Sequence, residues 1–331
     1  MRILVVGGTR FFGAEVVRLL LNEDHEVVVL SRGRRRPDFW KYVRHIQIDR
    51  DDDEKLKEKI SKEHFDVVLD NIVFNRHHVE TLLDALYERI GHYVLVSSIA
   101  VYHANNYFKV IEEDDVDLAY IPEGYFPGSN NDWDYAIGKR DAELALWKGN
   151  WSCPFTIIRP AGVEGPNDHT GFSWFWIQRI ADGKPVLLPR SSWTPMFRHI
   201  FSEDIARVIV SCLNNPRTFN KAYNVAGEEI LTVFEYIQLI GSIIFGNEVE
   251  VVEEPYVSIR RQPGLNKFEA PYIERRIQDI RRIKQDLGFY STPILEWLEK
   301  SVYWHLDNLN YDSSMYANRF YEIKACEKLR H

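Results

Sequence analysis

The segment Ile3–Gly13, ILVVGGTRFFG, restricts the fold of this chain more than any other. Four aliphatic residues, Ile3 to Val6, read as a strand buried on both faces. Gly7 and Gly8 follow at once, and then a helical period with Val16, Val17, Leu20 and Leu21 on one face. A strand, a glycine turn and a helix in this order leave free helix N–H groups beside a backbone that a ligand can approach closely. The runs EVVVL (26–30), HIQID (45–49), DVVLD (66–70) and YVLVSS (93–98) continue the series, with helical segments between some of them. FTIIRP (155–160) reads as a further strand ended by Pro160, and YNVAG (223–227) as one that returns late to the same sheet. Continuous apolar strands separated by helices predict an α/β fold with a doubly wound parallel sheet, covered on both faces.

With 331 residues, 45% apolar composition and 9 Trp, the chain can bury the core of one large domain or two unequal ones. The texture changes near Gly165: segments 166–198 and 228–331 are richer in Trp, Pro and irregular spacing. The expected organisation is a dinucleotide-binding domain over 1–165 plus about 199–227, and a smaller, mostly C-terminal cap over 166–198 and 228–331. Within the cap, IQDIRRIKQDLGF (277–289) predicts an amphipathic helix stopped by Gly288, and ILEWLEKSVYWHLDNL (294–309) another. The net charge of -8 argues against a general nucleic-acid binder. Cys153, Cys212 and Cys326 are far apart, carry no metal-ligand spacing and point to a reducing compartment. His77, His78 and His169 form no ligand spacing, and the DRDDDE run (49–54), Asp49 apart, reads as a solvated loop, so no metal site is expected. The N-terminal sequence has no signal-peptide pattern and no apolar run reaches the length of a membrane span, so a cytoplasmic protein without membrane contact is expected.

In the glycine turn, Gly7 and Gly8 let a pyrophosphate come close and Gly13 lets the helix pack against the strand. Thr9, Arg10, Phe11 and Phe12 complete the phosphate-facing stretch. An NAD-binding chain usually carries an acidic residue at the end of its second strand, for the ribose 2′-hydroxyl. Here the strand ends in Ser31 and Arg32. A guanidinium at Arg32 can clamp a 2′-phosphate through charge-assisted bonds, and Arg10 can offer a second. NADP(H) is therefore favoured as cofactor, with NAD(H) as the alternative; Arg34, Arg35 and Arg36 read as a solvated basic loop.

Two serines, Ser97 and Ser98, end the strand near 93–98, and Tyr135 and Lys139 stand four positions apart on one helical face. A lysine beside a phenol favours phenolate and lowers its pKa. Such a tyrosine can exchange a proton with a substrate hydroxyl or carbonyl, with Ser98 hydrogen-bonded to the same oxygen. A nicotinamide cofactor would carry the hydride.

The motifs GGTRFFG, DVVLDN, YVLVSSIAVY, YAIGK, IIRPAGVEGP, SEDIARVI, YNVAG and DLGF occur in the order and approximate spacing of one family. Over most of its length the sequence resembles the extended short-chain dehydrogenase/reductases, the NAD-dependent epimerase/dehydratase family, and its GGTRF form looks like their atypical branch. The resemblance implies a Rossmann-type domain with a substrate-binding cap, and Ser98, Tyr135 and Lys139 as the catalytic set. It implies that Asp49, with Arg50 next to it, meets the adenine, that Asp70, Asn71 and Ile72 run beneath the cofactor with Ser97 beside it, and that Arg159, Pro160 and Val163 border the nicotinamide. It also suggests a homodimer. In the family's dehydratases Asp and Glu follow the serine of the set; Ile99 and Ala100 stand there instead, which disfavours dehydration. The implied activity is interconversion of alcohol and ketone on a small-molecule sugar or nucleotide-sugar-like substrate, as a reductase or an epimerase; the NADP(H) preference tilts toward a reductase. Two alternatives share the fold without redox turnover: RNA binding, as in plastid relatives of the GGTRF branch, and cofactor sensing. Tyr107, Tyr120, Tyr125, Phe126 and Trp133, in the pocket expected from the cap and the loop 103–131, suit either substrate stacking or packing of the loop.

Overall fold

The computed structural model describes residues 1–103, 109–128, 130–190, 196–271, 277–309 and 314–329. The chain forms two compact units. One comprises Met1–Val163, Ser202–Ala226 and Gln278–Tyr290; the other comprises Glu164–Phe201, Gly227–Ile277 and Ser291–His331.

The first unit is built on a seven-stranded sheet. Its strands are β1 (Arg2–Val6), β2 (Glu26–Ser31), β3 (Arg44–Gln47), β4 (Phe65–Asp70), β5 (Ile90–Val96), β6 (Phe155–Pro160) and Lys221–Val225. Every pairing is parallel, in the order Lys221–Val225, β6, β5, β4, β1, β2, β3. Leu4 lies between Val28 on one side and Val68 on the other, and all three are fully buried. Burial on both faces is why these strands are uninterrupted apolar runs rather than alternating ones. Helices α1 (Phe11–Asn22), α2 (Asp53–Ile60), α3 (Arg76–Ala85) and α4 (Asn131–Lys148) and the helix Ser202–Cys212 cover the sheet. Leu56, Ile60, Val79, Leu82, Ala142 and Leu146 of α2 to α4 pack in one cluster with Leu4, Val6, Val28 and Val68 of the sheet. From β1 the chain winds outward to β2 and β3, then crosses back to β4 on the other side of β1. Strand order therefore reverses between β1 and β4, the place where such sheets open a crevice at their carboxyl ends.

The expected strands are all present, with the third ending earlier, at Gln47, and the fifth at Val96, so that Ser97 and Ser98 lie just beyond the sheet. The helix expected over 277–289 is shorter, Arg281–Leu287. Gln278, fully buried, forms a parallel bridge to Ile111 instead, and this pairing straightens the chain before the helix begins. Gly288 ends the helix in the left-handed conformation, as its position suggested. The segment Gln278–Tyr290 belongs to the first unit rather than to the cap, and the junction near Gly165 falls between Val163 and Glu164.

The second unit is a smaller mixture of helices and short strands. Val186–Arg190 pairs with Val251–Pro255 in parallel, and Met196–Phe197 with Leu231–Thr232 antiparallel. Helices Phe172–Ala181, Val233–Phe245, Ile294–Asp307 and Arg319–Leu329 enclose a core that includes Trp176, Ile177, Ile237, Ile240, Trp297 and Leu298. Arg179 and Glu322, both buried, join the first and last of these helices by paired bonds of 2.8 and 2.7 Å. Glu164 is buried and accepts from Ser173, His199 and Tyr236. Among the described residues no helix is long and apolar enough to cross a membrane.

Candidate functional site

The glycine turn follows β1, and Asp70–Ile72 follows β4, so the two strands flanking the reversal each deliver a predicted segment to the same crevice. Gly7 and Gly8 hold φ of +94° and +78°, angles that suit only glycine. A Cβ on Gly8 would stand 2.7 Å from Val5 Cγ1, and one on Gly13 would stand 3.1 Å from Gly8 Cα, so turn and helix pack backbone to backbone. Phe11, the first helical residue, has φ of +51°, an outlying angle for a bulky side chain. No acidic residue lies in the first turn of α1 and no side chain caps it. The positive end of its dipole is therefore not offset by an acidic side chain, which favours an anion there. Arg10 is exposed at the rim of the turn, and Thr9 and Phe12 are half-buried beside it.

Asn71 carries the clearest sign of a ligand. Both its Oδ1 and its Nδ2 are buried, and neither has a hydrogen-bond partner. The side chain lies against the glycine turn: Nδ2 would be 3.6 Å from a Cβ on Gly13, and Cβ of Asn71 3.5 Å from one on Gly7. An amide buried without partners costs several kcal/mol unless a ligand completes it, on the order of 1–3 per group. The orphaned amide, the glycine cradle and the acid-free helix start fit the pyrophosphate and ribose of a dinucleotide.

At the adenine end, Ser31 Oγ lies 2.9 Å from His45 Nε2 and accepts from Gly33 N, so its hydroxyl is engaged locally. Arg32 and Asp49 are both half-exposed and 4.0 Å apart. The second strand indeed ends without a carboxylate, but Asp49, beyond the third strand, places one beside Arg32. Two other predicted cofactor contacts turn their side chains inward. Arg50 donates to Asp70 Oδ1 at 2.7 Å, to Ile72 O at 2.9 Å and to His78 O at 3.0 Å, and Tyr93 Oη donates to Asp70 Oδ2 at 3.0 Å. Arg50 and Asp70 thus form a buried pair that holds the backbone of Ile72 in place rather than a pair open to ligand. Three acids of the 49–54 run are engaged locally: Asp51 by His78, Asp52 as N-cap of α2 and Asp53 by His77.

The candidate catalytic set lies at the same end of the sheet. Ser98 starts a short 3-10 turn over Ile99–Tyr102, and its Oγ accepts from Ala100 N at 3.1 Å. Its proton is turned to the Tyr135 hydroxyl. Tyr135 keeps 41% of its surface exposed, beside the ring of Phe74 at 6.5 Å. Lys139 is buried; its Nζ donates to Val96 O at 2.9 Å and lies 5.6 Å from the Tyr135 ring centroid and 5.5 Å from that of Phe74. The drop expected in the phenol's pKa is not what its surroundings produce. The Tyr135 pKa is raised instead: desolvation at the hydroxyl end outweighs the hydrogen bond from Ser98, although the residue as a whole keeps much of its surface exposed. The lysine is the group that shifts downward, pushed to about 8 by its own burial against the pull of Asp70 and Glu143.

Sequence reasoning missed three residues that seat this set. Gly138 is one: a Cβ there would stand 2.1 Å from the carbonyl oxygen of Phe74. Arg140, buried, donates to Val101 O at 2.6 Å and Tyr120 O at 3.0 Å, fastening the 3-10 turn and the long loop to α4. Glu143, fully buried, takes the Ser97 hydroxyl at 2.5 Å and the Arg159 guanidinium at 2.6–3.2 Å. Ser97 and Arg159 were expected beside the cofactor; their side chains are turned into the core by this carboxylate. Pro160 is buried at the end of β6 and Val163 half-buried beyond it. Of the expected pocket aromatics, Phe126 and Tyr120 are exposed, Tyr125 bonds Asp134 at 2.5 Å, Trp133, in the first turn of α4, packs on His103, and Tyr107 lies outside the described residues.

The model of the NAD dependent epimerase/dehydratase family matches residues 3–226. The chain belongs to that family. Its match spans the whole glycine turn, the candidate catalytic set and the late strand Lys221–Val225. Among solved structures, the fold is similar to UDP-glucose 4-epimerase of Thermotoga maritima with UDP-glucose, at TM-score 0.72 and 18% identity over 94% of this chain and 100% of that one. It is similar also to UDP-glucuronic acid 4-epimerase of Bacillus cereus in complex with UDP-glucuronic acid and NAD, at TM-score 0.71 and 17% identity over 93% and 100%. In sequence, the chain is 30% identical over 247 residues to chloroplast stem-loop binding protein of 41 kDa b of Arabidopsis thaliana, covering 70% of this chain and 60% of that relative's length.

Proposed function

We propose that this protein is an NAD(P)-dependent oxidoreductase or epimerase of the short-chain dehydrogenase/reductase type, interconverting alcohol and ketone on a sugar or nucleotide-sugar-like substrate. The observation that carries the reading is the unpartnered Asn71 amide at the glycine turn, three residues from Phe74, against which Tyr135 and Lys139 are packed. A bound nicotinamide supplies or takes up the hydride. Tyr135 takes the proton of the substrate hydroxyl in the oxidising direction and returns it in the reducing one. Ser98 donates to the same oxygen, and the Lys139 ammonium stabilises the phenolate that forms. Ile99 and Ala100 offer no carboxylate for eliminating water. Arg32 would face the 2′-phosphate of a bound NADP(H), while the neighbouring Asp49, 4.0 Å from it, leaves room for NAD(H).

The test is turnover. Purified protein is incubated with UDP-glucose, UDP-glucuronic acid and their 4-keto derivatives, following sugar configuration by NMR and reduced nicotinamide by absorbance. Wild type converts at least one of them and Tyr135→Phe loses about 10²–10⁴-fold in rate while still binding cofactor. Cofactor consumed with substrate marks a reductase; inversion without net consumption marks an epimerase. A protein that binds neither NADP(H) nor NAD(H) overturns the proposal.

The name of the Arabidopsis relative favours one second reading, RNA binding, with the exposed Arg32, Arg34, Arg35 and Arg36 as the basic surface. The net charge of -8 and the complete Ser98–Tyr135–Lys139 set support the first reading over it. Tight, steeply salt-dependent binding of stem-loop RNA by protein that binds no dinucleotide would reverse the order.

A further inference from the structure

A buried polar network begins one helical turn beyond Lys139. Glu143 is fully buried, with Arg159 at 2% and Ser97 at 3% exposure. Glu143 Oε1 accepts from Ser97 Oγ at 2.5 Å and from Arg159 Nε at 3.0 Å, and Oε2 accepts from Arg159 Nη2 at 2.6 Å. Arg159 Nη1 donates onward to Tyr102 Oη and Glu113 O, both at 2.7 Å, and Tyr102 Oη donates to Asn224 Oδ1 at 2.7 Å. A buried ion pair of this kind is weak as a source of stability, because apolar residues of the same volume serve as well or better. Its position is more telling. Ser97 is the neighbour of Ser98, and α4 carries Tyr135 and Lys139 in the turns before Glu143. One carboxylate therefore fastens the strand end that presents the serine to the helix that presents the tyrosine and lysine.

We propose that Glu143 is a positioning residue for the Ser98–Tyr135–Lys139 set: it holds the Ser97–Ser98 turn to α4 and supplies a buried counter-charge to the Lys139 ammonium. The catalytic part of this rests on the redox reading above. The charged groups that act on Lys139 come from three elements: Asp70 at the end of β4 and Glu143 on α4 favour its protonated form, and Arg50, beyond β3, opposes it. A small misplacement of reacting groups is enough to lose about 100-fold in rate. Register between Ser98 and Tyr135 is the property that Glu143 controls.

Glu143→Gln keeps an acceptor for Ser97 and removes the charge; it leaves Arg159 unpaired, so folding is safeguarded by a second variant, Glu143→Leu with Arg159→Met. The side-chain NMR signals of Lys139 are followed against pH in each, beside the thermal midpoint and the kinetic constants. The expected result is a double variant at least as heat-stable as wild type, whose kcat falls about 100-fold at nearly unchanged KM. Its Lys139 midpoint moves below the wild-type value of about 8. Wild-type kcat in the stable double variant, or an unmoved Lys139 midpoint, overturns the proposal and leaves Glu143 a purely structural residue. If wild type turns over nothing, the redox reading has failed by itself, and the Lys139 titration still decides whether Glu143 is its counter-charge.

Discussion

The carbonyl oxygen of Phe74 lies 2.1 Å from the point where a Cβ on Gly138 would stand. The absence of a side chain at Gly138 is what lets α4 lie against the loop that follows β4, and so what brings Tyr135 and Lys139 beside Phe74. Gly138→Ala cannot be absorbed by a side-chain rotation, since the obstacle is backbone. The helix must lift, at a cost of about 1–3 kcal/mol for overpacking. The expected outcome is a lower thermal midpoint together with a loss of turnover much larger than that of Ala substitutions on the exposed face of α4. A variant of normal stability and activity would show that helix and loop do not meet as described.

The pair Arg32 and Asp49, 4.0 Å apart, sets a prediction on cofactor choice. A 2′-phosphate would gain from the guanidinium and be repelled by the carboxylate. Arg32→Ala should weaken NADPH relative to NADH by about 10- to 100-fold, the worth of a charged hydrogen bond. Asp49→Asn should move the ratio the other way. Both are half-exposed, so the effects shrink at high salt. Binding titrations of both cofactors with the two variants check this; a ratio unmoved by either removes the 2′-phosphate clamp.

What the sequence conveys and what it hides follow from the range of the interactions. The strands were legible because burial on both faces imposes continuous aliphatic runs such as Ile3–Val6 and Val67–Leu69, and the turn because only glycine takes the angles of Gly7 and Gly8. The candidate set drew notice because Tyr135 and Lys139 are one helical turn apart, and the structure does place both on α4. Arg50 and Arg159 were set beside the cofactor by resemblance, which carries a position across but not the partner that its side chain takes here. The partners, Asp70 and Glu143, stand 20 and 16 residues away, and nothing local announces them. The helix over 277–289 was drawn too long because Gln278 pairs with Ile111 across more than half the chain, a contact that overrides local periodicity. Asn71 was named by resemblance alone; its isolation is a property of three-dimensional packing and leaves no trace in spacing.

The buried pair Arg50–Asp70 gives a stability prediction. Arg50→Met leaves the Asp70 carboxylate with only the Tyr93 hydroxyl and a long bond from Ile72 N, and releases the carbonyls of Ile72 and His78. Removing one partner of such a pair costs about 3–5 kcal/mol. Chemical denaturation should show a loss of that order. Any weakening of cofactor binding should then come through disorder at Ile72 and be relieved when Arg50→Met is combined with Asp70→Leu. A single variant as stable as wild type would mean that Arg50 is free to serve a ligand after all.

Asn71 offers a test of the site that needs no substrate. Its amide has two buried, unpartnered atoms beside the glycine turn. Asn71→Leu removes an unsatisfied polar group, so the ligand-free protein should be as stable as wild type or gain about 1 kcal/mol. Dinucleotide affinity should fall about tenfold or more, because the ligand loses the hydrogen bonds that the amide was left to make. Stability and affinity thus move in opposite directions, which a structural asparagine would not produce. Thermal melts with and without NADP(H) and NAD(H) measure both at once; a destabilised variant with unchanged cofactor binding would assign the amide to packing instead.

The last prediction concerns pH and Lys139. Its pKa in the folded protein is held down at about 8 by burial, below the 10.5 of an exposed lysine. Below pH 8 the folded protein carries a buried ammonium that the unfolded chain would hold more comfortably in water. That penalty is relieved as pH rises from about 8 toward 10.5, where the folded state has lost the proton and the unfolded state has not. Lys139→Met should therefore be more stable than wild type near pH 7, with the difference shrinking by pH 10, as read from denaturation midpoints at both. Activity should run the opposite way. If the ammonium stabilises the Tyr135 phenolate, wild-type kcat/KM falls as pH rises through about 8, since that quantity reports groups of the free enzyme. A profile level to pH 10, with no stability difference between wild type and variant at pH 7, would mean that Lys139 is neither buried as a cation nor needed as one.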